Sequence, residues 1–270
     1  MNTLKTYIVD SFTSEPFKGN PAGVCLVEMP VDDNTMLLVA KELGLSETAF
    51  ITQKEEDTFD IRFFSPVMEI PLCGHATLAS SKVVFERNSD LKKVTFTNIQ
   101  SIDLEIELAN SEITMKFPLY STQKSKAPEQ LLSALGISTV VNAEYNVETN
   151  ILILEIAKAD TLRSLKPNFE ALKSSHDAIN GVLVTSKSNQ PGFDFESRYF
   201  WPWSGTNEDP VTGGTHTFLA PYWSKRLNKM KMNSFQCSER TGQMEVEILD
   251  EKWINIRSTA RIVFEGHLRL

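Results

Sequence analysis

An internal duplication restricts the fold of this chain more than any other feature. Phe59-Asp60-Ile61-Arg62-Phe63-Phe64-Ser65-Pro66 matches Phe195-Glu196-Ser197-Arg198-Tyr199-Phe200-Trp201-Pro202, with the acid, the arginine, the aromatic pair and the proline in register. Downstream, Pro71-Leu72-Cys73-Gly74 matches Pro210-Val211-Thr212-Gly213. Each is followed by a His- and Thr-containing helix start, His75-Ala76-Thr77 and Thr215-His216-Thr217. Upstream, Ala49-Phe50-Ile51-Thr52 finds an echo in Val182-Leu183-Val184-Thr185. Composition alone could make two strand–turn–helix units look alike. Matches that keep both their order and their register favour duplication. The chain therefore reads as two similar halves joined near Pro118-Leu119-Tyr120-Ser121.

Two such halves, facing each other about a pseudo-twofold axis, bring equivalent elements together at a cleft. Here the equivalents are helix starts led by Gly74 and Gly213. Each offers unpaired backbone N–H groups and the positive end of a helix dipole, and two of them converging form an anion site suited to a carboxylate. Neither a GxxxxGK[ST] loop nor a GxGxxG turn occurs, so a small carboxylic acid is favoured over a nucleotide.

Around the repeats, Thr6–Asp10 and Val24–Val27 read as strands, and Asp33–Leu43 as a helix capped by Asp32, Asp33 or Asn34 and ended at Gly44. Strands are expected at Ser46–Thr52, Asp60–Phe64, Val94–Thr97, Ile102–Leu108 and Ile113–Phe117, and a helix from about Gly74 to Phe85. Of the 270 residues, 27 are Lys or Arg and 35 are Asp or Glu, a net charge of -8 that disfavours phosphate backbones and anionic membrane surfaces. The densest basic stretch, Lys225, Arg226, Lys229 and Lys231, reads as a solvated helix end rather than a nucleic-acid contact. Cys25, Cys73 and Cys237 form no CxxC pair, and a reducing, cytoplasmic location is expected, with no membrane segment.

Glu47 follows a helix terminator and opens an apolar strand between Ser46 and Thr48. A carboxyl in such a partly buried place can be raised toward neutrality and exchange protons; the alternative is an exposed carboxylate at a strand edge. His75, beside Gly74, is expected to be held neutral by the helix dipole and to face substrate, or else to cap the helix. Asp209, with Glu208 as its rival, precedes the second glycine turn and could contact substrate or simply favour the helix dipole. His216, one turn into the second helix, reads as structural. Cys73 could be an acidified thiol. Its repeat partner is Thr212, however, so a two-thiol racemase is not built here, and Cys73 reads as a small packed residue. Cys25 and Cys237 read as core residues. HExxH, paired Cys/His spacings and GxSxG are all absent, so no metal site is expected, and a triad of His216, Asp209 and Thr212 or Ser204 has only spacing behind it.

Gly19-Asn20-Pro21-Ala22, Leu45-Ser46-Glu47-Thr48-Ala49-Phe50, Pro71-Leu72-Cys73-Gly74-His75-Ala76-Thr77, Glu208-Asp209-Pro210-Val211-Thr212-Gly213 and Leu219-Ala220-Pro221-Tyr222-Trp223 occur in one order along the chain, followed by Phe235–Arg240 and Val263–Gly266. This ordered set resembles the PhzF-like (phenazine biosynthesis-like) isomerase family. The resemblance implies an α+β, diaminopimelate epimerase-like fold: two pseudo-symmetric halves, each a curved, mostly antiparallel sheet around a central helix. The halves are expected at 1–117 plus 262–270 and at 118–261, in a homodimer without cofactor or metal. By the same resemblance Glu47 is the general acid/base of an isomerase acting on a small carboxylate-bearing metabolite, and His75 and Asp209 face the substrate. Gly74, Ala76, Gly213, Gly214 and Thr215 would bind it. The family continues Thr-Gly-Ser-Ala-His where this chain has Thr212-Gly213-Gly214-Thr215-His216. A serine hydroxyl is therefore replaced by Gly214, with Thr215 a candidate substitute. Two other readings remain: a single-thiol racemase or epimerase using Cys73, and a non-catalytic small-acid-binding or adaptor protein that retains the fold.

Overall fold

The computed structural model describes residues 3–270. The chain divides into two compact units, Met1–Lys116 with Asn255–Leu270, and Phe117–Ile254. Among the described residues no helix is long and apolar enough to cross a membrane.

The first unit runs β1 (Thr3–Ser11), β2 (Asn20–Leu26), α1 (Asp33–Leu43), β3 (Thr48–Gln53), β4 (Thr58–Phe64), β5 (Glu69–Ile70), α2 (Gly74–Arg87), β6 (Lys93–Thr97), β7 (Asp103–Ala109) and β8 (Glu112–Pro118), with β18 (Ala260–Arg269) returning to pair with β1. Asp32 caps α1 through the Thr35 N–H at 3.0 Å, and Gly44, at φ 65°, ends it. Helix α2 is the central one: Ala76 to Ser81 are all buried. Three of these residues are polar. Their hydroxyls turn back onto the helix, Thr77 to the Cys73 carbonyl, Ser80 to Ala76 and Ser81 to Thr77, so no side-chain polar group of theirs enters the core unpaired.

The second unit runs β9 (Gln123–Lys124), α3 (Glu129–Leu135), β10 (Asn142–Asn146), β11 (Ile151–Glu155), α4 (Ala159–Ser164), α5 (Phe169–Ser174), β12 (Gly181–Lys187), β13 (Phe195–Trp201), β14 (Thr206–Asp209), α6 (His216–Leu227), β15 (Lys231–Gln236) and β16 (Gly242–Ile248); β17 (Trp253–Ser258) begins in this unit and belongs to the first from Asn255 on. Pro221 lies inside α6, where it leaves the Thr217 carbonyl without its helical donor; the Tyr120 N–H supplies one at 3.0 Å. The basic stretch at the end of α6 is largely neutralised: Arg226 meets Glu155 at 2.9 Å and covers the Tyr222 ring, Lys229 meets Asp194, and Lys231 meets Glu245.

The duplication is visible in the pairing order. β2 pairs parallel with β3, β3 antiparallel with β4, and β4 antiparallel with β5 and parallel with β6. β11, β12, β13, β14 and β15 repeat those relations. The register corrects one part of the sequence comparison. Phe64 lies opposite Thr48 and its counterpart Phe200 lies opposite Val182, so the upstream echo is shifted by one residue and Ala49 corresponds to Leu183. Similar apolar strands slide past one another in a sequence comparison, but the ladder fixes which residue faces which.

The repeated arginine is explained by the same clamp in both units. Arg62 Nε and Nη2 meet Glu69 at 2.7 and 2.8 Å, with the guanidinium over Phe64; Arg198 meets Glu208 at 2.7 Å twice, over Phe200. Glu208 is therefore a structural anion and not a rival of Asp209. Glu208→Ala should lower stability by about 3–5 kcal/mol, because it strands a largely buried guanidinium, whereas Glu107→Ala at the exposed Lys93 pair should change little. Urea unfolding of the two variants measures the difference.

Candidate functional site

Four segments of the first unit converge on His75. The turn at Gly19 has φ +67°, and a Cβ there would lie 2.0 Å from the Ser11 carbonyl oxygen, so only glycine fits. That turn delivers Asn20 to the start of β2, with its Nδ2 3.5 Å from His75 Nδ1. Cys73 Sγ lies 3.5 Å from the same nitrogen. On the other side of the ring, His75 Nε2 is 3.2 Å from Glu47 Oε2 and 3.4 Å from Ser46 Oγ. The backbone is pinned as well: the Ser11 hydroxyl donates to the His75 carbonyl at 2.7 Å, and the Gly23 N–H donates to the Glu47 carbonyl at 3.0 Å. Glu47 thus enters β3 from the cap of α1, and His75 stands in the open first turn of α2, which has no side-chain cap.

The electrostatics reverse both titration expectations. Burial works to raise the Glu47 carboxyl, but the hydrogen bond and charge of His75, with the Ser46 hydroxyl, outweigh it and hold the carboxyl below its usual range. Burial likewise works against a charged imidazole, yet the Cys73 sulfur and the Glu47 carboxylate raise His75 well above its ordinary value. Neither group is tuned alone. Both shifts favour the carboxylate–imidazolium form of the pair. Cys73 is buried, as expected, but its sulfur belongs to this cluster instead of serving as inert packing. The ligand-bearing atoms of Glu47, Cys73 and His75 all lie within 4.8 Å of one another, a donor set that the linear spacings did not reveal.

The second unit gathers its own group. Asp209 ends β14, buried, and accepts from the Thr212 hydroxyl; Gln236 donates to the Asp209 carbonyl at 2.8 Å and accepts from the Thr212 N–H at 2.9 Å. Burial, then the Asp209 charge, raises the nearby Tyr199 hydroxyl. The expected helix start at Gly213 is corrected: α6 begins at His216, and residues 213–215 form a tight turn in which His216 N–H bonds the Gly213 carbonyl and Thr217 N–H that of Gly214. His216 is accordingly the first residue of the helix and is fully buried, with Nε2 2.8 Å from Ser234 Oγ and Nδ1 on the Thr212 carbonyl. It serves no hydrolytic triad. Thr215 donates its hydroxyl to the Thr212 carbonyl at 2.9 Å, whereas a Cβ at Gly214 would meet nothing within 4 Å.

The model of the phenazine biosynthesis-like protein family, PhzC-PhzF, matches residues 9–266. A mouse phenazine biosynthesis-like domain-containing protein is 38% identical, covering 98% of this chain and 99% of its own. The chain belongs to the PhzF family. A solved PhzF-family structure from Enterococcus faecalis has 35% identity, full coverage of both chains and a TM-score of 0.92. A Pseudomonas aeruginosa protein named as an uncharacterized isomerase is 37% identical over 99% of each chain. Membership brings the diaminopimelate epimerase-like α+β fold and an isomerase role.

Sequence reasoning singled out Glu47, His75 and Asp209 but gave Asn20 and Ser46 no part in the site. Both stood in motifs that carry the family likeness, and only their flanking of one imidazole shows why. Ala76, for its part, is fully buried, so its side chain cannot reach a substrate and only its backbone N–H is left to offer.

Two expectations follow. Burial pushes His216 down to about 4, so it is neutral when folded and charges near 6.5 when unfolded. A folded pKa below the unfolded one gives stability that is complete above pH 6.5 and is lost as pH falls toward 4, about 3 kcal/mol in all. Urea titrations at pH 7 and 4.5 should show this loss in the native chain and its reduction in His216→Gln. The open space at Gly214 should accept Gly214→Ser without loss of thermal stability; a fall in Tm of several degrees would show that the space is closed.

Proposed function

We propose that this chain is a cofactor-independent isomerase that moves a proton between carbons of a small carboxylate-bearing metabolite, with Glu47 as the general acid/base. The observation that carries the reading is the 3.2 Å contact between Glu47 and His75, whose side chains are 14% and 10% exposed. His75 keeps Glu47 ionised, so the base form is ready before substrate arrives. Glu47 then takes a proton from an activated carbon: the C–H bond breaks, an O–H bond forms, and the electron pair stays on the substrate. His75, still cationic, faces the developing negative charge. Return of the proton to a different carbon restores the ion pair. Open N–H groups at the start of α2, from Gly74 to Ala76, suit the substrate carboxylate. The repeat and the family motif extend the assignment to Asp209 and the Gly213–Thr215 turn as further substrate-binding groups.

In deuterated water the native chain, given its acid substrate, should place solvent deuterium in the product. Glu47→Gln should lower that incorporation at least about 100-fold, the usual worth of a general acid/base. Asp209→Asn should raise KM more than it lowers kcat. Cys73 carries a second reading, because its sulfur approaches His75 Nδ1 at 3.5 Å. Activity retained in Cys73→Ser and lost in Glu47→Gln supports the carboxylate; the reverse supports the thiol. A screen of small carboxylic acids that stabilise the protein without any exchange would instead mark a binding protein.

A further inference from the structure

We propose that Glu47, Cys73 and His75 form a binding site for a single zinc ion, and that zinc occupancy blocks proton transfer. Three different donors, a thiol sulfur, an imidazole nitrogen and a carboxylate oxygen, lie within 4.8 Å of one another. Tetrahedral zinc with bonds of about 2.3 Å to sulfur and about 2.0–2.2 Å to nitrogen and oxygen places neighbouring ligands roughly 3.3–3.7 Å apart. The observed Cys73 Sγ to His75 Nδ1 distance of 3.5 Å matches that edge, whereas the Glu47 carboxylate rests at the other ring nitrogen, 3.2 Å from Nε2. One ring nitrogen takes the metal. With Nδ1 as ligand the Cys73 edge is already in place, and a side-chain rotation of Glu47 supplies the oxygen.

Several features hold the donors ready. Cys73 and His75 are two residues apart, one at the N-cap and one in the first turn of α2, and Glu47 is anchored through its own carbonyl to Gly23. The ring nitrogen that does not bind metal keeps a polar neighbour, Ser46 Oγ at 3.4 Å from Nε2, which fixes the imidazole as outer partners of metal-bound histidines do. Glu47 and His75 retain some solvent contact, so an ion has a way in. Zinc takes the place of the protons on the Cys73 sulfur and on the ligating His75 nitrogen, which leave to solvent, and the resulting thiolate and the carboxylate together cancel the charge of a divalent cation. The sulfur makes the site one for zinc or a similar transition metal and not for magnesium or calcium, which take oxygen ligands.

Binding is independent of the proton-transfer reading; only the block rests on it, since a metal-bound Glu47 has no free lone pair positioned for a carbon-bound proton. The full chain, free of any affinity tag and treated with chelator, is titrated with zinc chloride by calorimetry, with magnesium chloride as comparison. One zinc per chain and no magnesium uptake are expected. Cobalt(II) in place of zinc should give a thiolate-to-metal charge-transfer absorption that disappears in Cys73→Ser. His75→Gln and Glu47→Gln should each weaken zinc binding at least about tenfold, while His176→Gln and His267→Gln leave it unchanged. Circular dichroism verifies that each variant is folded. No zinc uptake by the native chain, equal uptake of magnesium, or uptake that survives Cys73→Ser and His75→Gln would overturn the site. One equivalent of zinc should also stop deuterium incorporation and chelator should restore it; exchange that continues with zinc bound overturns the block. Absence of exchange before zinc is added counts against the isomerase reading and leaves the binding result standing.

Discussion

A largely desolvated imidazolium survives only where nearby acceptors replace the water it has lost, and His75 is surrounded on that principle. A carboxylate and a hydroxyl stand at one ring nitrogen, and the Cys73 sulfur at the other. The neighbours of the ring arrive from three separate segments, so the loop after β1, the turn before β3 and the approach to α2 all have to be in place together. Removing the Glu47 carboxylate would leave the imidazolium without its counter-charge in a largely desolvated place, a larger penalty than the loss of a fully exposed pair. The same arrangement sets the protonation state of Glu47, and with it the chemistry open to this unit.

Duplication supplied the frame for this cluster but not the cluster itself. In the ladder register Glu47 corresponds to Gly181, and through the aligned Pro-x-x-Gly segments His75 corresponds to Gly214. The second unit therefore carries neither member of the pair. The Tyr199 ring packs against Gly181 so closely that a Cβ there would lie 2.5 Å from it. Asp209, conversely, stands where the first unit has Ile70. What both units kept is the Arg–aromatic–acid clamp that fastens each short β-hairpin ahead of its helix. The shared clamp and the Glu47–His75 pair thus rest on different residues of one repeat.

The two helix starts diverged in a way that composition hides. Both follow Pro-x-x-Gly, yet α2 begins at the glycine itself and α6 three residues later. In the second unit the Thr215 hydroxyl and the His216 ring both bond back to the Thr212 carbonyl, which favours a tight turn over a first helical turn. Periodicity reports that a helix is coming, but competing local hydrogen bonds decide where it starts.

The fold class, the two repeats and the strands flanking α2 were legible in the amino-acid order, which also singled out Glu47 and His75, the two residues that the fold brings within 3.2 Å of each other. Hydrophobic period, glycine punctuation and ordered motifs are local signals, and the sequence carries them openly. Tertiary structure alone decided the charge states, the engagement of Cys73, the shift of the upstream echo and the assignment of Glu208 to Arg198. Each of these depends on which distant residues meet in space. A pKa or a register is a property of neighbours across the fold, and separation along the chain does not encode it.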